Sequence, residues 1–117
     1  MSNQNILKPV EAQLEAYNAR NIDAFMANFS DDCICTDSDG NITMQGKAQM
    51  TSRYGEMFAN SPDLHCRIVS RTLVGNFVFD EERVIGHSKN PNNESHVMAL
   101  YTVCPATSLI TKVQFFR

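Results

Sequence analysis

Up to about Asn60 the apolar residues of this chain recur mostly every three or four positions; beyond it they fall into four long runs joined by short polar connections. The runs Leu64–Leu73, Asn76–Gly86, His96–Cys104 and Leu109–Arg117 are each long enough for a sheet strand. Val74-Gly75, the polar loop His87–Ser95 and the stretch Pro105–Ser108 join them. Connections this short favour an antiparallel meander, and helices gathered in the first half then pack on one of its faces. The expected class is α+β: a roll in which three N-terminal helices pack on a mainly antiparallel sheet.

The helical half divides at two corners. Leu7, Val10, Leu14 and Tyr17 share one face of a helix running from about Ile6 or Pro9 to Ala19, with Pro9 expected in its first turn, where a missing N–H is harmless. Asn21 reads as the N-cap of a second, shorter helix with Ile22, Phe25, Met26 and Phe29 on one stripe. A strand Cys33–Asp37, a turn at Ser38–Asn41 and a return strand Ile42–Gln45 follow. Gly46 then opens a third helix, Lys47–Asn60, whose Met50, Tyr54, Met57 and Phe58 face inward.

A length of 117 residues corresponds to a single domain spanning residues 1–117. A net charge of −3 with scattered basic residues leaves no stripe for nucleic acid, so none is expected as a partner. There is no run of ~18 apolar residues for a membrane span, and the first residues lack the pattern of a secretory signal. A cytoplasmic location is expected. Cys33, Cys35, Cys66 and Cys104 are then reduced, and three of them sit in strands as small apolar side chains. Cys33-x-Cys35 with His65-Cys66 lacks a second knuckle at ligand spacing, so neither a metal nor a cofactor is expected.

Asp37 is the first candidate for chemistry, because it ends an apolar strand and shares the face of Cys33 and Cys35. It is either a carboxylate placed at a cavity or the opening residue of an Asx-turn over Ser38–Gly40. Asp39 fits a solvated turn. In Asp80–Arg83, Asp80 is a candidate for a cavity wall and Arg83 for a pair with Glu81, Glu82 or a neighbouring strand, while solvated charge is the commoner outcome for such a cluster. His65, His87 and His96 have no carboxylate or thiol partner at a spacing that marks a nucleophile system.

The stretches Ala16–Gly40, Gly46–Phe58, Gly75–His87 and Val97–Val103, with the closing Ile110–Arg117, resemble the nuclear transport factor 2-like superfamily, and within it the SnoaL-like and ketosteroid isomerase-like members. The resemblance implies a cone-shaped roll, a curved sheet wrapped around helices, with an apolar cavity open at one end and a homodimer formed through the sheet. Strands that are apolar on both faces, such as Val97–Val103, fit a second copy covering the outer face. Asp31, Asp32 and Asp37 reproduce the context of the isomerase's general base, whereas its oxyanion tyrosine and protonated aspartate fall at Gln13 and near Tyr101.

Tyr101 shares parity with Val97, Ala99 and Val103, and is either a hydrogen-bond donor to an oxyanion or a core tyrosine. Tyr17 lies a helical turn beyond Gln13, available to core or ligand. The expected function is therefore to bind an apolar small molecule, with Gln13, Tyr17, Tyr54, Met57, Phe58 and Ala99 at the ligand. Catalysis would be cofactor-independent proton transfer beside a carbonyl, of the isomerase or polyketide cyclase kind, with Asp37 as base and Tyr101 as donor. The alternative is a non-catalytic binding or association module.

Overall fold

The structure, a computed structural model, describes the backbone from Asn3 to Arg117 and side chains from Asn5 onward. Helices α1 (Asn3–Ala19) and α2 (Ile22–Met26) lead into strands β1 (Phe29–Thr36) and β2 (Ile42–Gln45). Helix α3 (Lys47–Asn60) precedes β3 (His65–Val74), β4 (Phe77–Ile85), β5 (Ser95–Cys104) and β6 (Leu109–Phe116). The six strands form one sheet in the order β2-β1-β6-β5-β4-β3. The four long runs do make an antiparallel meander, and β1 joins it parallel to β6. The helices lie on one face, giving the α+β roll.

Alternation sorts the sheet into two faces. Val78, Asp80 and Glu82 of β4 and Val97, Ala99, Tyr101 and Val103 of β5 are buried toward the helices. In β3 an irregularity between Ile68 and Ser70 lets Val69 bulge out, so the inward residues run Cys66, Ile68, then Arg71 and Leu73. Without that bulge Arg71 would face out, and its pairing with Asp80 would be lost. The inner face closes on Phe25, whose ring centroid lies 4.7 Å from Tyr54, 4.9 Å from Phe29 and 5.4 Å from Phe58.

Three local expectations need correction. Pro9 lies inside α1, well past its first turn. Proline there deprives the Asn5 carbonyl of its helical N–H, and the Ser108 hydroxyl donates to that carbonyl instead; Ser108 adopts a left-handed φ of 57° at the start of β6. Phe29 belongs to β1 rather than to the α2 stripe, because α2 ends at Met26. The strand β1 stops at Thr36, leaving Asp37 in the turn. Asn21 does cap α2, its side chain accepting from the Ala24 N–H. Among the described residues no helix is long and apolar enough to cross a membrane.

Candidate functional site

A cavity of about 510 Å³ opens between α1, α3 and the inner face of the sheet, a size usual for small-molecule sites. Its waist is apolar, formed by residues such as Leu14, Tyr17, Met44, Met57, Val84 and Phe115. Leu14 and Tyr17 are only half-buried, because one side of α1 meets this space rather than packed side chains. The centre of the helix's buried face is instead Ile6, Val10, Gln13 and Ala16.

At the floor lies a chain of polar groups. Gln13 Nε2 donates to the Val10 carbonyl at 3.0 Å and to the Tyr101 hydroxyl at 3.1 Å. The Tyr101 hydroxyl in turn donates to Glu82 Oε2 over a long 3.4 Å. Beside the same carboxyl, the Cys66 thiol has its pKa pushed up by burial first and then by the charges of Glu82 and Asp80. Gln13, Tyr101 and Glu82 are each no more than 6% exposed.

Two inward acids of β4 have opposite environments. Asp80 is fully buried but grips the Arg71 guanidinium in a two-pronged bond, 2.7 Å to Nε and 2.9 Å to Nη2. It does not line the cavity, so the expectation of Asp80 as a wall residue is replaced by that of a buried ion-pair member. Glu82 lines the cavity, and among the described residues no cation is paired with it. Burial, and then the charge of Asp80, push its carboxyl up from an ordinary 4.5 to about 7. The contrast follows from solvation: a desolvated carboxylate stays charged only where donors replace water.

Asp37 is elsewhere. Its carboxylate accepts from the Asp39 N–H at 3.0 Å, the Asn41 N–H at 2.9 Å and Asn41 Nδ2 at 3.3 Å. The turn's donors, Asn41 foremost, hold its pKa below the ordinary aspartate value. It closes an Asx-turn and is not among the cavity residues, so the placed-carboxylate reading of Asp37 is corrected: the carboxyl at the cavity is Glu82. Of the other expected residues, Gln13, Tyr17, Tyr54, Met57 and Tyr101 do meet in the cavity, while Phe58 and Ala99 lie in the packed core behind it. The solvated-cluster expectation for Asp80 and Glu82 also fails; Arg83 reaches Glu94 instead, at 3.7 Å. Glu82 was readable by parity, since Val78, Asp80, Glu82 and Val84 alternate along one face. Among the described residues no three His, Cys, Asp or Glu side chains gather as metal ligands.

A family model for the SnoaL-like domain matches residues 10–112. The chain belongs to the SnoaL-like family. Among solved structures, this SnoaL-like chain resembles an uncharacterised cystatin-fold protein from Novosphingobium aromaticivorans at 26% identity, with a TM-score of 0.85 over 100% of this chain and 99% of that one. A hypothetical protein with a ketosteroid isomerase-like fold from Catenulispora acidiphila, solved with trimethylamine, is similar at 22% identity and a TM-score of 0.74 over 93% and 84% of the two chains. A putative polyketide cyclase from Sinorhizobium meliloti shares 14% identity with a TM-score of 0.77, covering 98% and 99%. The last two likenesses are of fold. No curated protein matches the sequence.

Proposed function

We propose that this SnoaL-like protein binds an apolar small molecule bearing a carbonyl and moves a proton beside that carbonyl, with Glu82 as the acid/base. One observation carries the reading: a nearly buried carboxyl, pushed up to about 7, faces a cavity of small-molecule size. A base whose pKa lies near ambient pH is both ionised and basic enough to take a proton from carbon.

In this reading the Glu82 carboxylate removes a proton from the carbon next to the carbonyl, leaving an enolate, and returns it there or to a conjugated carbon. Once Glu82 is protonated it no longer needs the Tyr101 hydrogen. The long Tyr101–Glu82 bond is then exchanged for one to the enolate oxygen, with Gln13 holding the phenol in place. Asp80, fixed by Arg71, keeps Glu82 basic by like charge.

The test uses 2-tetralone, an apolar bicyclic ketone, in deuterated water, with NMR following deuterium entry beside its carbonyl. Exchange above that of buffer, lost in Glu82→Gln while thermal stabilisation by the ketone persists, supports proton transfer. Stabilisation with exchange no faster than in Glu82→Gln leaves a binding module. We also propose a homodimer through the outer sheet face. Phe77, Met98 and Phe116 are exposed there, Met98 lying directly opposite Phe116. Light scattering of Met98→Lys beside the parent chain tests this: the parent should be dimeric and the variant monomeric.

A further inference from the structure

The walls of the cavity change character from floor to rim. The floor carries neutral or protonatable oxygen and amide groups, and the waist is apolar, but the exposed residues at the rim include Arg53, Lys89 and Arg117. Among the described residues Glu82, at the floor, is the only acid lining the space. This positive collar sits on a chain whose net charge is −3.

The rim cations are also uncommitted to carboxylates. Among the described residues the ion pairs use Lys47, Arg71, Arg83 and His96, and none uses these three. Arg53 is steadied by donating to the Thr43 carbonyl at 2.6 Å. Arg117 lies with its guanidinium carbon 5.0 Å from the centre of the Phe115 ring, itself a cavity wall. His87, beside them, accepts the Lys89 backbone N–H on Nδ1 at 3.0 Å. Burial first, then the charges of Lys89 and Arg117, hold its pKa below the ordinary histidine value. Three cations gathered at one opening make a positive field there, and such a field attracts anions and guides their approach.

We propose that the ligand is an amphipathic organic anion, its oxygen-bearing neutral end on the Gln13–Tyr101–Glu82 floor, its apolar body in the waist, and its carboxylate or comparable oxyanion among Arg53, Lys89 and Arg117 at the rim. The inference rests on the cavity being a ligand site, and it adds the charge of the ligand and its direction of binding. A ligand inserted the other way would set its anion against Glu82 and leave its neutral end among three cations.

Two fluorescent probes with the same apolar body separate the terms: 8-anilinonaphthalene-1-sulfonate, an anion, and N-phenyl-1-naphthylamine, its neutral counterpart. The parent chain should bind the anion about tenfold more tightly at low salt, the two probes should compete, and the preference should shrink in about 0.5 M salt. In the triple variant Arg53→Gln, Lys89→Gln, Arg117→Gln it should fall to near unity with binding of the neutral probe unchanged. The replaced side chains are exposed, so the fold is kept. Equal binding of the two probes, failure to compete, or an anion preference that survives the triple variant overturns the inference while leaving the cavity a ligand site. If neither probe binds, the inference and the ligand-site reading fail together.

Discussion

Replacing Glu82 by glutamine tests the environment of the cavity floor without a ligand. The substitution keeps the size of the side chain and an acceptor for the Tyr101 hydroxyl while removing the titration. In the folded protein the Glu82 midpoint is about 7, raised by burial and then by Asp80, against an ordinary 4.5. Between those values the folded state holds a proton that the unfolded chain has released, so stability falls as pH rises. The slope is ~1.4 kcal/mol per pH unit, on the order of 3 kcal/mol over the whole interval. The contribution is fully present below pH 4.5 and is lost by the time the pH has passed the folded midpoint. Unfolding in urea at pH 5, 6, 7 and 8, read by far-ultraviolet circular dichroism because the chain has no tryptophan, should show Glu82→Gln gaining on the parent by that slope up to pH 7. The gain should level off above it. Taking the difference between the two proteins cancels the other titrating groups. A difference that is flat, or that shrinks with rising pH, would mean Glu82 stays ionised when folded, and the proton-transfer reading would go with it.

Tyr101→Phe removes a hydrogen bond that lowers the Glu82 midpoint; carboxyl NMR should show Glu82 titrating higher still, and an unmoved midpoint would disconnect the two groups. Asp80→Asn, by contrast, should lower that midpoint, and because it leaves the Arg71 fork without its buried anion it should cost about 3 kcal/mol in urea unfolding. Gly86 has a left-handed φ of 76°, and a Cβ there would strike the Asp63 carbonyl and the Leu64 nitrogen. Gly86→Ala should therefore destabilise by more than ~2 kcal/mol in the same assay, a near-neutral result contradicting the packing of that corner. Among the cysteines, Cys104 is held below the ordinary thiol value by the Thr107 hydroxyl and nearby backbone N–H groups. Cys33 and Cys35 are buried and pushed up to about 12. Iodoacetamide followed by peptide mass mapping should find Cys104 modified first; first modification of Cys33 would contradict the core.

The meander was legible because a period of two over eight or more residues leaves little choice of element, and its connections were too short for crossovers. The parallel pairing of β1 with β6 was not, since no local pattern says which distant edges meet. Acidic Asp31 and Asp32 disguised the first half of β1, which they can occupy because both are exposed there. Pro9 was misplaced for a related reason: the group that satisfies the orphaned Asn5 carbonyl is Ser108, near the other end of the chain. Gln13 and Tyr101 were found through the family resemblance, Tyr101 with the support of strand parity, and Tyr17 by lying one helical turn beyond Gln13. Glu82 was passed over because an acidic run reads as solvated even when its alternation points inward.

The two acids illustrate why position at a strand end is a weaker guide to basicity than the count of donors within reach. Asp37 ends an apolar strand, yet the turn that follows offers it two backbone N–H groups and an amide. Each donor stabilises the charge and makes the carboxylate a poorer base. Glu82 sits between apolar neighbours, Val97 opposite it on β5 and Ile68 on β3. It receives one long phenolic bond and lies two residues from a committed anion. Scarcity of donors is what leaves a carboxyl unsettled between its two states near neutral pH. Because Asp80 has taken the Arg71 fork for itself, the guanidinium that would have settled Glu82 is unavailable to it, and the basicity of the cavity floor is in that sense made by the ion pair beneath.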